Sequence, residues 1–330
     1  METALSVWEE LRGSRIFITG GTGFIGCSLL ESLTAANNRL NLNISALVLS
    51  RDPHAFRRKE PALAAHPALD WHAGDVRTFD FPPGAFHFVI HAAADIANLN
   101  APEGALDLFS TIVEGTRRVL DFTRHSTARR VLFVSSGAVY GKQSGEITHI
   151  PEDHAGAPDP LDPRSAYGEA KRAAELLCAL YSERHGIETK IARCFAFAGP
   201  RLPLDSFFAL GNFIRDALRG GPICVRGDGT ARRSYLDASD LAHWLWTILL
   251  RGQNRRAYNV GSEHDLSLAE LAREVAAALR PGVAVNIALP PTQGRPPSRY
   301  VPSTERARRE LGLSQHVSLP ESIRRTARVP

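Results

Sequence analysis

Residues 15–33 read as a strand, a glycine-punctuated turn and a helix in unbroken order. Arg15-Ile16-Phe17-Ile18-Thr19 runs into Gly20-Gly21-Thr22-Gly23-Phe24-Ile25-Gly26 and then into the apolar-rich stretch from Cys27 to Leu33. Each glycine has a task in that order. Gly20 permits the tight turn, Gly23 lets an anion approach backbone N–H groups, and Gly26 lets helix and strand pack closely. The spacing is G-x-x-G-x-x-G rather than G-x-G-x-x-G. In this context it predicts a dinucleotide pyrophosphate at the positive end of the helix, lined by Gly20, Thr22, Gly23, Phe24, Ile25 and Gly26.

The same rhythm continues. Short runs rich in Val, Ile, Phe and Leu at 15–19, 44–49, 69–72, 86–91, 130–135 and 189–194 predict strands, and 24–36, 103–125 and 165–185 predict helices. Alternation of this kind implies an α/β fold with a Rossmann-type, doubly wound parallel sheet. After Pro200 helical stretches dominate (206–219, 239–251, 268–279, 303–311), broken by short extended pieces at 223–226 and 257–260. The prolines of 289–297 mark an irregular connection. With 330 residues and about 150 residues per domain, two domains are expected. Residues 1–195 would bind a dinucleotide, with 236–262 packing back onto them. Residues 196–330 would form a smaller, mostly helical substrate domain.

Composition excludes several classes. At 44% hydrophobic and 22% charged residues the chain is ordinary globular protein. Its longest apolar-rich run, Trp244 to Leu250, is far short of the roughly 20 residues that span a bilayer. The first fifteen residues carry acids and lack the basic start and apolar middle of a signal peptide, so a cytoplasmic location is expected. The four cysteines (Cys27, Cys178, Cys194, Cys224) show no metal or disulfide spacing and are expected to be small buried hydrophobes. Net charge is +4. The basic runs at 57–59 and 324–325 are too short for a nucleic-acid surface, so neither nucleic acid nor membrane is an expected partner, and no metal site is expected. Trp244, Leu245, Trp246 and Leu249 fall at helical spacings and predict packing.

Later strand ends carry further signals. A site specific for NAD places a carboxylate at the end of the second strand to bond the ribose hydroxyls. Here that strand ends in Ser50-Arg51, with no acid to repel a 2′-phosphate and a guanidinium to bind it, so NADP(H) is favoured while NAD(H) stays open. Asp52 reads as the start of the next helix. Asp75, beside Val76, could accept from an adenine amino group, and the small Ala92 and Ala93 after His91 leave room for the cofactor. His91 itself reads as the end of a buried strand. Tyr167 and Lys171 lie four apart on a helix and face one way. A free phenol titrates near pH 10; an ammonium group and an oxidised nicotinamide nearby would lower that value and let Tyr167 exchange a proton with a substrate oxygen. Ser136, at the end of its strand, can bond the same oxygen.

These motifs together resemble the extended short-chain dehydrogenase/reductases, the NAD(P)-dependent epimerase/dehydratase family, over nearly the whole chain. The resemblance implies a Ser136/Tyr167/Lys171 triad, with Tyr167 and Lys171 also touching the cofactor, and nucleotide-diphosphate sugars as substrates. It implies clamping of the diphosphate by Arg233 and by Arg295 or Arg299, and pairing of two subunits through helices 103–125 and 165–185. Dehydratases of the family carry Asp and Glu directly after the triad hydroxyl, and its decarboxylases place Glu where Ala138 stands. Here Gly137 and Ala138 occupy those places, which disfavours both reactions. A 4-keto-sugar reductase is then expected, with a 4-epimerase holding NAD as the alternative; a non-catalytic NADP-binding sensor or scaffold is the alternative of another class. Three further departures, Ile112, Ala196 and Ser234, stand where the family often has Asn, Asn and an acid. Asp95 is a weak candidate for a sugar contact.

Overall fold

The structure, a computed structural model, describes residues 7–94, 104–206, 208–291, 294 and 296–328. In chain order the elements are β1 (Arg15–Thr19), α1 (Phe24–Leu40), β2 (Ser45–Ser50), α2 (Pro53–Lys59), α3 (Pro61–Ala64), β3 (Leu69–Ala73), β4 (Phe88–His91), α4 (Ala105–His125), β5 (Arg130–Ser136), α5 (Ala166–His185) and β6 (Glu188–Cys194). Then come β7 (Phe197–Ala198), α6 (Ala209–Arg219), β8 (Ile223–Val225), β9 (Arg232–Ser234), β10 (Leu236–Asp237), α7 (Ala238–Arg251) and β11 (Arg256–Val260). The last are β12 (Asp265–Ser267), α8 (Leu268–Leu279), β13 (Val285–Ile287), β14 (Arg299–Tyr300), α9 (Glu305–Leu311) and α10 (Leu319–Ala327).

Two compact units emerge. The first comprises the described residues through Gly141, Ala155–Cys194 and Ala242–Tyr258. Its seven-stranded sheet has the order β11-β6-β5-β4-β1-β2-β3, with parallel pairing from β6 through β3. The central strands are apolar runs because helices cover both faces; β1 and β4 are buried almost throughout. The chain order reverses between β1 and β4, and in sheets of this kind ligands bind at the carboxyl ends of the strands at such a point. Beneath it Phe17, Phe79, Phe86 and Phe122 pack ring on ring, with centroids 4.6–5.9 Å apart. Trp244 and Trp246 are fully buried, and the Trp246 indole N–H donates to Ser32 at 2.8 Å.

The second unit comprises Lys142–His154, Phe195–Leu241 and the described residues from Asn259 on. The helices expected after Pro200 are present, joined by small sheets the sequence pattern did not show: β7-β10, β8-β13 and β12-β9-β14. The expectation of four buried cysteines fails at Cys224, which is exposed. Its strand alternates, with Ile223 and Val225 turned inward, so the residue between them faces out. No helix among the described residues is long and apolar enough to cross a membrane.

Candidate active site

The glycine turn is tight in three places and open in one. Gly20 has φ +73°, and a Cβ there would lie 2.5 Å from the Ala92 carbonyl carbon. A Cβ on Gly26 would lie 2.6 Å from the Gly21 carbonyl carbon and nearer still to Gly20 O, and one on Gly21 would overlap Val48 Cγ1. Beside Gly23 the nearest atom is Gly20 O at 3.5 Å. Gly23 also starts α1, which has no side-chain cap and no acid in its first turn. A bare, positive helix end beside an exposed glycine is what a pyrophosphate requires, so the donor set fits a dinucleotide. Thr22, Phe24 and Ile25 lie half-buried around this opening.

Three neighbouring strand ends furnish the rest of the candidate site. At β2, Ser50 is buried and Arg51 exposed. Asp52 is committed to α2, accepting from Ala55 N at 2.8 Å. After β3, Asp75 accepts from Arg77 Nε at 2.9 Å and from its backbone N–H at 2.8 Å. The Arg77 hydrogen bonds hold the Asp75 carboxyl below the usual range, and the charge of Arg51 adds to this, so Ser50, Arg51 and Asp75 share one corner. Val76 is buried where Gly115 of α4 leaves room for it.

At the end of β4 the buried His91 bonds Thr19 Oγ1 through Nδ1 at 2.7 Å and Thr116 Oγ1 through Nε2 at 3.0 Å. The Thr116 hydroxyl donates to Ile112 O at 2.6 Å, so it accepts from Nε2–H. Nδ1 then accepts from Thr19, whose oxygen is left to accept from Ala93 N at 3.3 Å. Burial first, and the nearby Lys171 charge second, push His91 down to about 3. It is a neutral strut under Ala92 and Ala93. Among the described residues no group of three His, Cys, Asp or Glu could hold a metal.

Ser136 ends β5 and caps the turn Gly137–Tyr140, accepting from Ala138 N at 3.1 Å. Its hydroxyl bonds the Tyr167 phenol. Lys171, one turn further along α5, is buried and donates to Val134 O at 2.7 Å, with Nζ 6.0 Å from the Tyr167 ring centroid. The structure thus brings Ser136, Tyr167 and Lys171 together. Burial pushes Tyr167 up to about 12, only partly opposed by Ser136, and Lys171 is itself pushed down to about 8 by burial. Desolvation disfavours both charged forms, and the resting phenol is neutral.

The second unit holds the other candidates. Arg233 lies on β9, its Nη1 2.7 Å from Arg232 O. Arg299, on β14, donates to Asp265 at 3.0 Å, and Arg232 binds the same carboxylate. Register pairs Arg299 with Arg232 and Tyr300 with Arg233, so Arg233 and Arg299 take opposite faces of this sheet. Arg295 and Asp95 lie outside the described residues. Sequence reasoning missed Glu175, Arg193 and Tyr140, which form a network behind the triad. Glu175 at four residues past Lys171 was the available signal.

The sequence profile of the NAD dependent epimerase/dehydratase family matches residues 16–261. UDP-glucuronic acid decarboxylase 3 of Arabidopsis thaliana is 30% identical over 315 residues, covering 94% of this chain and 86% of that protein. In fold the chain is similar to UDP-glucuronic acid 4-epimerase from Bacillus cereus, solved with UDP-glucuronic acid and NAD (TM-score 0.78, 22% identity, 95% of this chain and 98% of that one). It is similar also to dTDP-glucose 4,6-dehydratase from Bacillus anthracis, solved with NAD (TM-score 0.77, 18% identity, 95% of each chain).

Proposed function

The chain belongs to the NAD-dependent epimerase/dehydratase family, and from that premise we propose that it reduces a 4-keto nucleotide-diphosphate sugar, with NADPH as the reductant. The first unit binds the cofactor and the second contributes substrate contacts. With its pyrophosphate held at the glycine turn, NADPH would supply the hydride from its nicotinamide. The chain's own residues handle the proton and the oxygen. The Ser136 hydroxyl bonds the sugar O4 and orients it. Tyr167, neutral at rest, donates its proton to that oxygen as the ketone becomes an alcohol, and the Lys171 ammonium lowers the cost of the phenolate left behind.

The observation that carries this reading is a phenol, neutral at rest and bonded to Ser136. Gly137 and Ala138, which follow Ser136 in the cap, have no proton donor or base with which to expel water or support decarboxylation. Reduction needs only one proton donor at one oxygen. Arg51 in the Ser50/Asp75 corner supports NADPH, its fork matching a 2′-phosphate. Arg233 is assigned to the diphosphate, with Arg295 as the second clamp, because Arg299 takes the opposite face of the small sheet and is held by Asp265. The 4-epimerase reading has one observation in its favour, since the similar solved structures named above hold NAD. A cytoplasmic homodimer completes the proposal: Leu106 on α4 and Leu176 and Leu180 on α5 are 55–78% exposed, an apolar face suited to a second copy.

The test begins with the cofactor. Fresh protein is denatured, any released nucleotide identified, and stripped protein titrated with NADPH and NAD. Empty protein that prefers NADPH and oxidises it with 4-keto sugar nucleotides is the expected result. Bound NAD at about one per chain overturns the reductase in favour of the epimerase. Tight NADPH binding with no turnover of any such sugar favours a sensor.

A further inference from the structure

We propose that Glu175 is a positioning residue for the Tyr167–Lys171 pair: it ties the strand ends of β5 and β6 to α5 and supplies the anion that keeps Lys171 charged. The proposal rests on the reading of that pair as catalytic. Glu175 Oε1 accepts from Ser135 Oγ at 2.6 Å and from Arg193 Nε at 3.0 Å, while Oε2 accepts from Arg193 Nη2 at 2.7 Å. The fork is bidentate and both side chains are largely buried, at 17% and 15% exposure. Arg193 Nη1 continues to the Tyr140 hydroxyl at 2.9 Å, and its guanidinium lies 4.8 Å from that ring's centroid. One carboxylate therefore joins the residue before Ser136, the turn after it, strand β6, and the helix carrying Tyr167 and Lys171.

The electrostatic half follows from the surroundings of Lys171. On its own helix it meets Tyr167, Glu175 and Cys178; from β4, His91; from β5, the Val134 carbonyl; from β6, Cys194, with Arg193 behind Glu175. His91 is neutral, and burial raises both thiols, Cys194 to about 12 and Cys178 further, so at neutral pH neither is a thiolate. Of the groups whose charge acts on Lys171, that leaves Glu175. An ammonium group already weakened by burial depends on it. Without that anion less of Lys171 would be charged at neutral pH, and less would offset the charge of a Tyr167 phenolate.

The test needs no substrate. The chain has four lysines, Lys59, Lys142, Lys171 and Lys190, so the Lys171 side-chain signal in full-length protein carrying 13C-labelled lysine is assigned with a Lys171→Met variant and titrated by NMR. Glu175→Gln keeps the shape and removes the negative charge, and should lower the Lys171 titration midpoint by about one pH unit or more. Arg193→Met breaks the same ion pair but leaves the carboxylate, and should raise it. Opposite shifts are the signature of charge, because a packing defect moves both variants one way. Equal-direction shifts, or none, overturn the proposal. If a single variant fails to fold, the double variant removes both members of the ion pair together, and its midpoint must still lie below wild type; an unchanged or higher value overturns it. A failed shift leaves the hydride-transfer reading intact, and full activity in Tyr167→Phe sinks that reading without altering the Lys171 titration.

Discussion

Gly23 and Gly26 lie three residues apart in one turn, yet the structure assigns them separable tasks. In Gly26→Ala the new methyl meets only backbone, Gly20 O and Gly21 Cα among it, with the Gly21 carbonyl carbon at 2.6 Å. No rotamer relieves that, so α1 must move off β1 by about 1 Å, an overpacking cost of about 1–3 kcal/mol. At roughly 2–4 °C per kcal/mol for a domain of this size, the melting temperature should fall by about 2–12 °C. The displaced helix end should also lose cofactor. Gly23→Ala meets nothing nearer than 3.5 Å, and its backbone (φ −85°, ψ 177°) suits alanine. Loss of glycine's chain entropy stabilises by about 0.4–1 kcal/mol, and alanine's poorer capping costs about as much. Stability should stay within about 0.5 kcal/mol of wild type. Its Cβ nevertheless stands where the pyrophosphate must approach, so affinity should fall at least about tenfold, or 1.4 kcal/mol. Thermal melts of stripped protein and NADPH titrations by fluorescence read both quantities. Wild-type NADPH affinity in Gly23→Ala would place the phosphates elsewhere. A wild-type melting temperature in Gly26→Ala would refute the packing argument.

Three other outcomes are expected. Arg51→Asp should turn the NADPH preference toward NADH by about tenfold or more, read as the ratio of the two dissociation constants, because it exchanges a phosphate partner for a ribose-hydroxyl acceptor. Tyr167→Phe should bind NADPH as wild type does yet reduce 4-keto sugar nucleotides about 10²–10⁴-fold more slowly, measured as NADPH absorbance in single turnover. His91, held at about 3 in the fold against 6.5 when free, has its folded value depressed. The stability linked to it is thus held above pH 6.5 and lost as the pH falls from 6.5 toward 3. Urea melts at pH 6.5 and 5 should show wild type losing about 2 kcal/mol more than His91→Asn over that interval.

What was legible in the sequence was what repeats within a few residues. The strands of the first unit announce themselves because burial on both faces makes them continuous apolar runs, and Tyr167 and Lys171 meet through one helical turn. The small sheet carrying Arg233 and Arg299 is different. Arg232-Arg233-Ser234 has no apolar pattern, and it is a strand only because residues 265–267 and 299–300 pair with it. The Thr19–His91–Thr116 strut joins groups 72 and 25 residues apart, a separation no local pattern reports. Glu175 could have been found by spacing, but its partner Arg193 lies on another element and appears only when β6 is laid beside β5. Spacing shows the lysine beside Tyr167 and hides the desolvation that keeps its phenol neutral.

That desolvation bears on the choice between reduction and epimerisation. Both reactions use one oxygen and one phenol, so the triad alone cannot separate them. They differ in what must leave. A reductase releases its oxidised cofactor at every turnover, whereas an epimerase keeps it and returns the hydride to the other face of the same carbon. A resting phenol near 12 begins the cycle as an acid, the form needed when ketone and NADPH arrive together. An epimerase begins by removing a proton from an alcohol and needs the phenolate first. With the oxidised cofactor bound, its positive ring would stabilise that phenolate, so the oxidation state of the cofactor and the protonation of Tyr167 are coupled.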